Sequence, residues 1–126
     1  QGGIDYMIHH LLSHTNNADW LKVNQFFTEQ LAYIADRLNR IQEGARTLLD
    51  NSMIVYGSAI EDGMSHAHHD LPVLLAGRGG GTIKPGRHVR YAKNTPMANL
   101  FLSMLDRMGA PTERLGDSTG RLDQLS

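Results

Sequence analysis

Residues 48–81 read LLDNSMIVYGSAIEDGMSHAHHDLPVLLAGRGGG, and this run decides the fold class. Ser52 to Ser58 is apolar without strict alternation and β-branched at Ile54 and Val55, which predicts a strand covered on both faces. Leu71 to Ala76 repeats the pattern, with Pro72 near its start where a missing N–H is tolerated. Between them lies a loop dense in His and carboxylates, and beyond them Gly77-Arg78-Gly79-Gly80-Gly81 demands an unusual backbone. A helix followed by a buried strand implies an α/β layer architecture, here a partial mixed sheet flanked by helices. Ligand sites of such sheets form beyond the carboxyl ends of the strands, where the 59–70 loop is expected.

That loop holds Glu61, Asp62, His66, His68, His69 and Asp70. Carboxylate oxygen and imidazole nitrogen are suitable donors for zinc, manganese or calcium, with imidazole favouring the softer ions. In extended backbone, H-x-H sends His66 and His68 to one side and His69 to the other. Asp70 then either orients an imidazole or caps the turn into the next strand. The plainer alternative is a surface loop whose histidines only hydrogen-bond. In IDYMIHHLLSH, residues 4–14, His10 and His14 lie four apart, so a helical segment would put two imidazoles on one face for the same ion. His9 would approach from that side too. The glycine run matches neither phosphate-loop spacing, which leaves a tight or mobile connection in which Arg78 is an anion contact.

Outward from the loop, Trp20, Val23, Phe27, Leu31, Ile34, Leu38 and Ile41 recur at steps of three and four. They predict a helix from Ala18 to about Gln42, begun at Thr15-Asn16-Asn17, ended by Gly44 and packed on the sheet. Thr82 to Tyr91 predicts a hairpin turning at Pro85-Gly86; Lys84, Arg87, His88 and Arg90 make it basic. Thr95 and Pro96 predict the cap and first residue of a second helix whose apolar face is Met97, Leu100, Phe101, Met104, Leu105 and Met108. Gly109 and Pro111 end it. Residues 112–126 read as a polar tail to a single α/β domain, or to the C-terminal fragment of a larger one.

Composition limits the alternatives. At 126 residues with 40% hydrophobic residues, the chain suits one small core. Twelve basic against thirteen acidic residues lack the excess that phosphate-backbone binding needs, so no nucleic acid partner is expected. No apolar run approaches the roughly 20 residues that span a bilayer, so no membrane partner is expected either. Without cysteine, disulfide and thiolate chemistry are excluded. The opening Gln1-Gly2-Gly3 is what a processed or partial chain would show.

The stretches HHLLSH, LLDNSMIVYGS, DGMSHAHHDLPVLLAGRGGGTIKPGRHVRY, NTPMANLFLSMLDRMG and GDSTGRL together resemble the C-terminal part of the domain-of-unknown-function 1552 family of exported bacterial proteins. That family is similar to the alkaline phosphatase and sulfatase superfamily, whose sandwich carries a metal site at its strand ends. The resemblance implies an exported, periplasmic protein of which this chain is roughly the last third. It matches Asp62 to the strand-end Asp ligand and His66 or His68 to a His ligand. The superfamily's Asp-His-Gly is Asp62-Gly63-Met64 here, and its nucleophile has no counterpart in this chain. Two readings stay open. One is a metal-dependent hydrolase of small anionic phosphate or sulfate esters, with Asp62, His66, His68, His10 and His14 at the metal and His69, Asp70, Arg78 and Arg87 at the substrate. The other is a non-catalytic His-rich binding or structural module. Both expect the remainder of a larger chain, or a second copy, to cover part of the surface.

Overall fold

The three-and-four spacing folds residues Ala18–Asn39 into helix α1, in a computed structural model that describes residues 8–15 and 18–126. Before it, Ile8–Leu12 forms one π-helical turn. After it come strands β1 (Gln42–Glu43) and β2 (Arg46–Thr47), then β3 (Ile54–Gly57) and β4 (Val73–Ala76), a 3₁₀ turn at Gly79–Gly81, and helix α2 (Met97–Arg107). The expected starting residues Asn16 and Asn17, and Ile4 to Met7, lie outside the described residues. The architecture is a small mixed α/β domain with two separate two-stranded sheets.

The main sheet pairs β3 and β4 antiparallel, with Ile54 opposite Ala76 and Gly57 opposite Val73. Its His-rich connection leaves the carboxyl end of β3 and enters the amino end of β4, so it joins an antiparallel pair and does not lie at a shared carboxyl edge of strands. At the other end, Gly77 adopts φ +99, and a Cβ there would overlap the carbonyl of Ser52. Only glycine fits so close a turn without strain. The glycine run is then fastened to the segment before β3: Gly79 N–H donates to Ser52 O at 3.0 Å and Gly80 N–H to Asp50 O at 2.9 Å. Arg46 donates to the Gly80 carbonyl. Gly81 N–H donates to Arg78 O, so these amides close a turn and leave no cradle for phosphate. Of the two expected roles, the run takes the tight one.

Asp50 anchors this junction. Its carboxylate accepts from Thr47 N–H at 3.1 Å and Thr47 Oγ1 at 3.0 Å, and pairs with Arg78 Nε at 3.1 Å. The Thr47 bonds, helped by Arg78, hold its carboxyl below the usual carboxylate range. Gly44 does not end α1, which stops at Asn39; at φ +62 it turns the short β1–β2 hairpin.

The described core is small: Leu12, Val23, Ile83, Ala98, Leu100 and Leu102. Here the structure corrects several expectations. On α1 only Val23 of the predicted stripe is buried, while Phe27, Ile34 and Ile41 are each 48% exposed, so the helix is not sealed against the sheet. The strands are half-covered, with Leu74 exposed by 51%. Residues 82–91 form no hairpin: the Lys84 N–H donates to Leu125 O, and the Lys84 carbonyl accepts from the Arg87 side chain at Nε. Thr95 does not cap α2; its hydroxyl donates to Ala92 O and Pro96 takes the cap position.

The buried face of α2 is rotated from the predicted one. Asn99 and Ser103 are inside, whereas Met108 and Phe101 are exposed. Tail contacts explain the rotation. Asn99 accepts from Thr119 N–H at 2.9 Å and donates to Thr119 Oγ1 at 3.1 Å, and Ser103 Oγ accepts from Leu122 N–H at 2.8 Å. Arg121 grips Asp106 with two nitrogens at 2.7 and 2.9 Å. Residues 112–126 therefore lie along α2, and polar side chains that satisfy one another occupy its inner face.

Leu102, fully buried, tests this packing. Leu102→Ala is expected to lower the urea-unfolding free energy by about 2–5 kcal/mol. A loss below about 1 kcal/mol would mean that α2 does not seat on this core.

Candidate functional site

The 59–70 loop and the segment before α1 meet at Gly63. A Cβ on Gly63 would overlap the Ser13 carbonyl, so the two backbones touch where a larger residue would hold them apart. This contact brings chain positions 52 residues apart into hydrogen-bonding range: Nε2 of His66 lies 3.3 Å from Nε2 of His14. Their rings are tilted by 34° with centroids 4.9 Å apart. His10, one turn before His14, sets its ring edge-on at 5.0 Å. Three of the predicted imidazoles thus form one stack; the side chain of His9 lies outside what is described.

The loop is shaped by its own polar groups. Asp62 Oδ1 accepts from Met64 N–H at 3.1 Å, and Oδ2 accepts from Ser65 N–H at 3.1 Å and from Ser65 Oγ at 2.5 Å. These bonds, the Ser65 hydroxyl first, hold the Asp62 carboxyl below its ordinary value of 3.8. Glu61 N–H closes the loop onto Ala67 O at 2.8 Å. The extended H-x-H assumed from the sequence does not form, because His66 sits at φ +53. His66 and His68 therefore part: His68 Nδ1 donates to Ala59 O at 2.9 Å while His66 faces His14. A carbonyl only accepts, so this bond fixes the His68 tautomer.

The remaining predicted residues are placed as follows. His69 Nδ1 is 3.5 Å from Asp70 Oδ2, and both side chains are exposed. Asp70 sits at φ +52 in the bend before β4. Arg78 is paired with Asp50, and Arg87 donates to the carbonyls of Lys84 and Ser126. Neither lines the cleft beside the histidines. Among the described residues, no group of three or more His, Asp or Glu side chains is arranged to hold a metal ion. His14 and His66 bring two ring nitrogens together.

The cleft itself was not foreseen. It has a volume of about 470 Å³ and runs between Ser13, Thr15 and Trp20 on one wall and Glu61 to Met64 on the other. Its wall residue Trp20 belongs by spacing to the helical stripe, and Glu61 is one of several carboxylates in its loop. The available sequence signal was Gly63, the small residue between an acidic pair and a His cluster. Comparison of the chain with family models, with curated proteins and with solved structures finds no match.

The Asp62 turn sets a sign for pH dependence. Its folded pKa is depressed, so its contribution is present above about pH 3.8 and is lost as pH falls through the lowered folded value. Ser65→Ala removes the largest cause of the shift, and the Asp62 carboxyl carbon resonance is expected to titrate closer to 3.8 in that variant. An unchanged midpoint would show that the Ser65 hydroxyl does not hold the turn.

Proposed function

We propose that this chain is the metal-holding C-terminal part of a hydrolase of phosphate or sulfate esters, with His14 and His66 as nitrogen ligands of a divalent ion. The observation that supports the metal is the 3.3 Å separation of the two Nε2 atoms. Ligands at 2.0–2.1 Å in tetrahedral array around zinc stand about 3.3–3.4 Å apart, so the pair fits one edge of such a site. The same distance suits a hydrogen bond between neutral rings, in which one Nε2–H donates to the other ring's lone pair. Proton and ion therefore compete for one position. When bound, the ion would polarise an ester oxygen and stabilise charge that develops on it.

The chain's own residues have distinct tasks in this reading. His66 is presented at positive φ by a loop that Asp62 ties in place, and His14 is backed by the edge of the His10 ring. Asp62 does not fit the ligand role, because its oxygens already accept three hydrogen bonds within the loop. We assign it to holding the loop. The ester class, export, and membership of a larger alkaline phosphatase-like sandwich rest on the resemblance of the quoted stretches, and the nucleophile would come from outside these residues. Exposed Phe27, Ile34, Ile41 and Leu74 support a covering chain segment or second copy.

A second reading, a non-catalytic His-rich binding module, is favoured by the two-nitrogen donor set, since catalytic zinc sites commonly use three protein ligands. Zinc titration of the dialysed protein tests both. One ion per chain is expected, with affinity falling by at least 10–100-fold in His14→Ala and in His66→Ala and persisting in Asp62→Asn. Failure to bind zinc would end the metal assignment. Binding without turnover of aryl phosphate or aryl sulfate would select the second reading. Sedimentation at rising concentration addresses self-association: mass above 14.0 kDa is expected, and a monomer throughout would leave only the larger-chain alternative.

A further inference from the structure

The geometry of the His14–His66 pair says more than its nitrogen separation alone. The lone pair of each Nε2 lies on the line from the ring centre through that nitrogen. Two imidazoles bound to one ion at about 2.0–2.1 Å in tetrahedral array therefore have nitrogens about 3.3–3.4 Å apart and ring centres about 5.2 Å apart. A head-on N–H···N bond at the same nitrogen separation would spread the ring centres to about 5.6 Å. The observed distances are 3.3 Å between nitrogens and 4.9 Å between centroids, nearer the shared-ion arrangement. The pair fills two of four positions. Among the described residues, no third His, Asp or Glu completes the set: His10 lies edge-on to His14 at 5.0 Å, and Asp62 is held by three bonds in its own loop. His66 and the contact between the two rings are exposed, so ligands from outside the chain can reach the open half.

We propose that one zinc ion joins two copies of this chain here, His14 and His66 of each copy supplying its four nitrogens about a twofold axis through the ion. The inference rests on the metal assignment of these two histidines. In a closed twofold assembly each copy presents the same surface to the other, so a half-shell of two imidazoles is what one copy has to supply. The surroundings suit such a meeting. Leu11, between His10 and His14, is 51% exposed, and Met64, two residues before His66, is 59% exposed. Residues 8–15 and 59–70 contain no Lys or Arg, while Glu61, Asp62 and Asp70 make the loop acidic. Like charge keeps two metal-free copies apart at this surface, and a divalent ion between them offsets it. Four protein ligands make a closed, structural shell, so the shared ion is sealed from an ester. The form with one ion per chain and two open positions is the one left when zinc exceeds protein. The ratio of zinc to chain thus selects between a closed and an open site.

The experiment follows sedimentation and bound zinc together at neutral pH, in protein dilute enough to run at 14.0 kDa when chelator is present. As zinc is added, the mass is expected to rise toward twice 14.0 kDa near about half an equivalent per chain and to fall again beyond about one equivalent. Chelator is expected to restore the starting mass. His14→Ala and His66→Ala, checked for native circular dichroism, are expected to stay at 14.0 kDa at every ratio. His88→Ala, which removes an exposed imidazole from another segment, is expected to associate as the unchanged chain does. Zinc that binds while the mass stays fixed would overturn the shared ion and leave the metal assignment standing, with the open positions taken by water or by a different chain. Zinc-driven association that persists in folded His66→Ala would overturn it as well. Absence of bound zinc would end both assignments.

Discussion

The contact of Gly63 with the Ser13 carbonyl governs the histidine-bearing end of this molecule. Side chains usually keep backbones apart, and here the missing Cβ lets a loop from the middle of the chain lie against the turn that precedes α1. Everything at the site follows from that approach. His14 and His66 come within 3.3 Å, and the cleft opens along the same line of contact. The loop keeps its shape because Asp62 folds it over Met64 and Ser65, so the imidazole is offered from a closed turn. A π-helical turn, Ile8–Leu12, carries His10, whose ring meets that of His14.

Away from the site, polar fastening substitutes for a large core. The described buried apolar residues are few, and the junctions rely on hydrogen-bonded hubs. Asp50 ties the approach to β3 to the glycine turn that follows β4, through Thr47 on one side and Arg78 on the other. Asn99 and Ser103 do the same between α2 and residues 119–122. Such hubs are directional and specify one register. They contribute little to hydrophobic stabilisation, which leaves aromatic and aliphatic groups of α1 and β4 in water.

The two imidazoles stand at hydrogen-bond distance, with one ring nitrogen able to donate to the lone pair of the other. Next to them lies the cleft between Ser13, Thr15 and Trp20 on one side and residues 61–64 on the other. The loop from Glu61 to His66 lines the cleft and also carries the ring that meets His14.

The sequence by itself determined the elements whose cause is local. The three-and-four period of residues 18–39 gave α1, the β-branched and aliphatic runs gave β3 and β4, and Gly109 ended α2. It misplaced the inner face of α2, because periodicity counts apolar residues and cannot know that Asn99 and Ser103 would find partners in residues 119–122. It misjudged His66 and His68, because alternation holds only in extended backbone and His66 is left-handed. Which histidines meet, which carboxylate is spent on a turn, and where the cleft opens were decided by tertiary structure alone. Those outcomes depend on contacts between residues some fifty positions apart, and no local pattern encodes the distance between them.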